Sequence, residues 1–157
     1  MSKNITITAM LSVLVVVLFS FQMVIPPIGM IFSYLSVILL IEIKRNTETR
    51  YYLMSLITTS TLIVMLNDPF GWILYIFMLI PVSVGVIYEG YLKFLMLIPV
   101  EAGAYFMFKV FSVKGSPIDN FLGNIWYFLG IFFYIATYFF YKKAIIIFDV
   151  LKKRMYK

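Results

Sequence analysis

Neither cysteine nor histidine occurs among the 157 residues of this chain. The first absence removes disulfides, thiolate metal sites and cysteine nucleophiles. Together the two absences remove zinc chemistry and Ser-His or Cys-His catalysis. Charge is also scarce, at 13% of residues with only seven acids. An ordinary soluble domain carries about a quarter charged residues, so the composition points away from that class. No P-loop is present, so the chain carries no nucleotide-binding signature of its own. What fills the sequence instead is apolar: 63% hydrophobic and 19% aromatic residues, with a mean hydropathy of +1.00.

These apolar residues come in runs of about 16 to 22, the length a helix needs to cross a bilayer. The expected fold is therefore all-α: a polytopic membrane protein with a six-helix bundle. Segment one runs from Ile5 to Ile25 and segment two from Ile28 to Ile43. Segment three covers Tyr51 to Leu66, segment four Phe70 to Tyr88, segment five Tyr91 to Val113 and segment six Asn120 to Tyr141. The first run lacks an A-x-A-like site and is followed by Pro26-Pro27, so it reads as a retained span rather than a signal peptide. Two turn signals punctuate the chain. In Asn67-Asp68-Pro69-Phe70-Gly71 the aspartate caps, the proline presets φ and the glycine tolerates positive φ; Lys114-Gly115-Ser116-Pro117 is the second.

Direction comes from one short polar stretch, Lys44 to Arg50, whose three cations should keep it in the cytoplasm. With six crossings both termini are then cytoplasmic, where Lys3 and the Lys152-Lys153-Arg154 cluster belong. Eleven of the thirteen cations fall on that side, and only Lys109 and Lys114 do not. That distribution is topogenic, with some attraction to anionic lipid, and argues against nucleic acid as a partner. The expected organisation is a membrane domain over 1–143 and a basic helix over 144–157. The latter is either interfacial, with Ile145, Phe148, Leu151 and Met155 on one face, or an extension of segment six. Segments two and three, at about 16 residues, are short for a span of about 30 Å, and Tyr51-Tyr52 could lengthen the latter at the interface. Met78-Leu-Ile-Pro-Val82 recurs as Met96-Leu-Ile-Pro-Val100, and each proline invites a kink.

Glu101 is the most informative residue, an acid near mid-depth of segment five beside Ala102-Gly103-Ala104. On translocon scales a carboxylate there costs about 2.5–3.5 kcal/mol, so it must face protein, cavity water or a ligand. It reads either as a ligand or proton site or as a hydrogen-bonded acid tying segment five to the segment-three threonines. Lys109, eight residues on, either snorkels outward or helps line a cavity with Glu101. Asp68, Trp72 and Tyr75 at one turn, and Asn120 and Asn124 near Trp126 at another, are a mixture that a solute site would want. Capping by Asp119 or Asn120 and an aromatic belt are the plainer account of the second group. Thr8-x-x-x-Ser12, with Ala9, is a small-residue stripe that can dock another helix. No paired carboxylates, serine dyad or metal cluster emerges, so a non-enzymatic role is expected, with no cofactor and no metal.

Six short helices, both ends inside, opening on Ile7-Thr-Ala-Met-Leu-Ser-Val-Leu14 and then Ile25-Pro-Pro-Ile-Gly29, resemble the substrate-binding S components of energy-coupling-factor vitamin transporters and YybS-like membrane proteins. The Asn67–Gly71 turn and the helix ending in Gly85 and Gly90 fit the same pattern. The resemblance implies a solute-binding subunit of an ATP-driven micronutrient importer in a bacterial plasma membrane. Its partners would be a transmembrane coupling subunit, ATPase subunits, a small-molecule ligand and the lipid bilayer. It further implies partner docking on the first helix, at Thr8, Ala9 and Ser12. A second resemblance, through Pro69-Phe70-Gly71, is to the rod-shape-determining protein MreD, a scaffold of cell-wall synthesis.

Overall fold

A computed structural model of the chain describes residues 2–88, 90–112 and 115–155. Glu89, Val113, Lys114 and Lys157 of the sequence reading lie outside them. Helix α1 spans Ser2–Val24, α2 Pro26–Asn46, α3 Thr49–Leu66 and α4 Pro69–Ile87. A single turn, α5, covers Leu92–Leu95, and α6 follows at Leu97–Tyr105. After these come α7 at Pro117–Asn124 and α8 at Trp126–Met155. The described residues contain no strand.

Among the described residues, four helices (α1, α2, α4 and α8) are long and apolar enough to cross a membrane. Their outer surfaces agree: Val24 is 74% exposed and Phe132 66%, and many large apolar side chains stand out like them. Water-soluble monomers rarely expose contiguous apolar surface on this scale, whereas lipid is compatible with it. Helix α3 forms as expected, but Arg50 and its hydroxyl residues dilute its hydropathy. The fifth and sixth apolar segments are interrupted. Segment five breaks at Met96 and ends in a π-helical stretch, Phe106–Val110, and segment six breaks at Ile125. Segments two and three gain length because Lys44, Arg45 and Asn46 continue α2, while Thr49 and Arg50 open α3. Tyr51 and Tyr52 are buried rather than interfacial. Beyond Ala144 the chain simply continues α8.

The chain divides into two compact units between Pro81 and Val82. In the first, α1 and α2 pack as a hairpin, and α3 lies against both. Pro26 and Pro27 occupy the first turn of α2, where a missing N–H costs nothing. Gly29 then lets the returning helix cross α1 with no side chain between them, directly against the Phe21–Gln22 backbone. At the other end Asn67 Nδ2 donates to Ser20 Oγ at 3.1 Å, so α3 runs the same way as α1. The core is filled by Val15, Phe19, Leu40, Ile41, Tyr52, Ile63 and Tyr75, each no more than 1% exposed.

In the second unit α6 packs on α8, and α7 packs against the π-helical stretch, where Gly123 sits on the Phe108 carbonyl. Tyr134 of α8 ties the unit together: its hydroxyl donates to the Lys93 carbonyl and occupies the space left by Gly85. The two echoed prolines do different jobs. Pro81 follows a π-helical stretch at Leu74–Leu79, a register change that re-pairs carbonyls near a proline. Pro99 lies in the first turn of α6, just after the break at Met96, where no intrahelical donor is lost.

Candidate functional site

Two residues expected at a solute site have structural work within the first unit. Asp68 caps α4, its Oδ1 accepting the Gly71 N–H at 2.8 Å, with Pro69 as the first helical residue. Gly71 is helical, so positive φ is not why it is glycine; those conformations belong to Gly90 and Gly115. A Cβ at Gly71 would meet Gln22 Nε2 at 2.8 Å and Asp68 Oδ1 at 2.9 Å, and space is the reason. Tyr75 is fully buried, donates to Thr59 Oγ1 at 2.9 Å and packs edge-on to Phe19. Tyr75→Phe should therefore cost about 0.5–1.5 kcal/mol, the net worth of one hydrogen bond, and leave solute binding intact. Loss of solute with an unchanged melting temperature would return Tyr75 to the binding site. Trp72 is half-buried on α4.

Around Asp68 lies a polar cluster that sequence reasoning missed. The Ser33 hydroxyl sits 3.2 Å from Gln22 Oε1 and 3.0 Å from the Gly29 carbonyl. Buried within the cluster, Gln22 Nε2 and Asn67 Oδ1 have no partner. A lone glutamine in an apolar helix is a visible signal, and Gln22 could have been found by it. Glu42 was missed as well. It is buried at the end of α2, accepting from Arg45 Nη1 at 2.6 Å and Asn46 Nδ2 at 2.8 Å, and so clasps the polar turn.

In the second unit Glu101 points at α8. A Cβ on Gly130 would meet both carboxylate oxygens, at 2.7 and 2.9 Å, so the acid is seated in a notch that only glycine leaves open. The Ile131 backbone faces the carboxylate, but neither buried oxygen makes a hydrogen bond of normal geometry. Lys109 lies exposed in the π-helical stretch. Asn120 and Asn124 are exposed on α7. That helix is capped by Ser116, which accepts from the Asp119 N–H at 3.4 Å, and not by Asp119 or Asn120. Trp126, at the start of α8, packs edge-on to Tyr105 at 5.1 Å.

Thr8, Ala9 and Ser12, the expected docking stripe, line a groove of about 520 Å³ between α1 and α3. Arg50, Tyr51 and Thr58 form part of its other wall. No family model matches the chain, no curated protein matches it, and no solved structure matches its fold.

Proposed function

We propose that the protein is a solute-binding membrane subunit, similar to the S components, that works with an ATP-driven importer of micronutrients. The observation that carries this reading is Glu101, an acid within an apolar helix with both oxygens buried and unpaired. Retaining such a group costs free energy, and a ligand donor or cavity water would recover it. In the first unit, separately, Gln22 Nε2 and Asn67 Oδ1 hold unspent hydrogen-bonding capacity of their own. Within the unit that holds Glu101, the exposed Asn120 and Asn124 remain the polar residues through which a solute would approach. The proposed membrane is a bacterial plasma membrane, crossed six times, with α3 and the broken α5–α6 segment completing the count. Energy comes from a partner, since the chain has no P-loop. A transmembrane coupling subunit and ATPase subunits would meet the polar turn and the basic end of α8. The test is native mass spectrometry of the gently purified protein, which should show a retained metabolite and co-purifying ATPase subunits.

A second reading, a non-enzymatic scaffold of the MreD type, is favoured by Asp68 and Tyr75, whose polar groups are spent inside the protein. Wall-synthesis proteins in the same preparation, with no metabolite, would establish it instead.

The topology has its own test, made simple by the absence of native cysteine. Thr49 is exposed beside the polar turn. A Thr49→Cys protein should resist an impermeant maleimide in intact cells and react fully once the membrane is permeabilised. Labelling in intact cells would overturn the cytoplasmic placement of that turn.

A further inference from the structure

The groove between α1 and α3 has properties that the solute-binding proposal does not use. It begins at Ile5 and Arg50 and continues past Val13 to Leu62, between two helices that run in the same direction. From Arg50 to Leu62 the wall is twelve residues long, or about 18 Å at 1.5 Å per residue, close to the roughly 15 Å depth of one hydrocarbon leaflet. The charged end lies at the polar turn, where Arg50 is 58% exposed. Along the wall the hydroxyls of Thr8, Ser12 and Tyr51 belong to residues at least nine-tenths buried, and none has a hydrogen-bond partner. Ser55 and Thr58 also line it, and the other lining residues are apolar.

We infer that this groove holds one anionic phospholipid of the cytoplasmic leaflet, its phosphate at Arg50 and one acyl chain along the α1–α3 trough. Phosphate oxygens are strong acceptors for a guanidinium. Ester carbonyls, just below the phosphate, are acceptors, and the unpartnered Thr8, Ser12 and Tyr51 hydroxyls, which lie buried just beneath the groove surface, would meet them after a side-chain rotation. The chain beyond them displaces no water and meets Val13 and Leu62. Arg50 is engaged by Glu48, with Nε 2.9 Å from Oε2, but both side chains are more than half exposed, and such pairs are weak competitors. Glu48 opposes the phosphate electrostatically, so the two residues should have opposite effects on binding.

The probe is phosphatidylglycerol, titrated onto the delipidated full chain in detergent and read by native mass spectrometry against phosphatidylcholine. One phosphatidylglycerol should be retained per chain in preference to phosphatidylcholine. Arg50→Gln should weaken it about fivefold, the weight of one basic side chain at an anionic surface, and Glu48→Gln should strengthen it. Ala9→Phe, at an exposed position on the groove wall, should fill the trough and abolish retention. Thr58→Phe asks the same from α3, should the first variant fail to fold. Equal retention of the two lipids, or retention indifferent to Arg50 and to both phenylalanines, overturns the inference. So does a lipid-free dimer that Ala9→Phe dissociates, which would make the groove an interface between copies. Because binding is read in detergent, a reversed membrane orientation would leave these results unchanged and show only in the maleimide experiment.

Discussion

Gly29→Ala should be the most damaging glycine-to-alanine change in the first unit, costing about 1–3 kcal/mol or more and lowering the thermal midpoint in detergent by several degrees. The reason lies in what the added methyl group would meet. At Gly29 the nearest atoms are the backbone N and Cα of Gln22 and the carbonyl carbon of Phe21. Backbone inside a helix cannot rotate away, so α1 and α2 would have to separate along their whole contact. The hairpin is also tied beside this point: the Ser33 hydroxyl of α2 lies 3.3 Å from the Phe19 carbonyl and 3.2 Å from Gln22 Oε1, both on α1. At Gly71 the same substitution meets Gln22 Nε2 and Asp68 Oδ1. These are side-chain ends that can move, so that variant should be milder. An unchanged midpoint for Gly29→Ala would mean that the two helices do not touch there.

Much of the helical pattern was legible because it follows from run length and from turn chemistry acting over a few residues. Asp68-Pro69 caps α4 and Gly115-Ser116-Pro117 starts α7 through groups adjacent in sequence. The irregularities at Met96 and Leu74–Leu79 lie beside Pro99 and Pro81, where kinks are expected, but the break at Ile125 and the π-helical stretch Phe106–Val110 were not legible. Both lie where elements separated in sequence meet, with Gly123, just before Ile125, set on the Phe108 carbonyl of that stretch. The same limit governs the candidate site. Glu101 stood out as an acid in an apolar run, but its seat at Gly130 is 29 positions away in sequence and depends on how α6 meets α8. Tyr75 looked available for a solute because aromatic residues beside a polar turn often are. Its hydroxyl is instead committed to Thr59, a pairing that needs α3 and α4 in their folded register. Pro26-Pro27-Ile28-Gly29 was read as a likeness in sequence, whereas in the fold it is the device that turns the first hairpin.

Glu101→Gln should weaken retention of the bound solute by about tenfold, the loss of one charge-assisted hydrogen bond, while leaving the melting temperature unchanged or raised. The amide keeps the shape of the carboxyl in the Gly130 notch but not its charge, and a buried acid without a partner is a net cost to the folded protein. Stability and binding should therefore separate, as they do when a group is kept for function rather than for the fold. Gly130→Ala approaches the same carboxylate from α8. Its methyl group would meet Oε2 at 2.7 Å and Cδ at 2.8 Å, and the acid, being the end of a flexible side chain, can swing out of the notch. That variant should fold, unlike one that strikes backbone, yet bind solute poorly because the acid is misplaced. Combining the two changes separates misplacement from lost charge. If both act through the one carboxyl, the double variant should bind no worse than Glu101→Gln alone. The measurements are metabolite occupancy by native mass spectrometry and thermal unfolding of the same preparations. Destabilisation by Glu101→Gln with occupancy retained would make Glu101 a structural clasp between α6 and α8, and the scaffold reading would then take precedence.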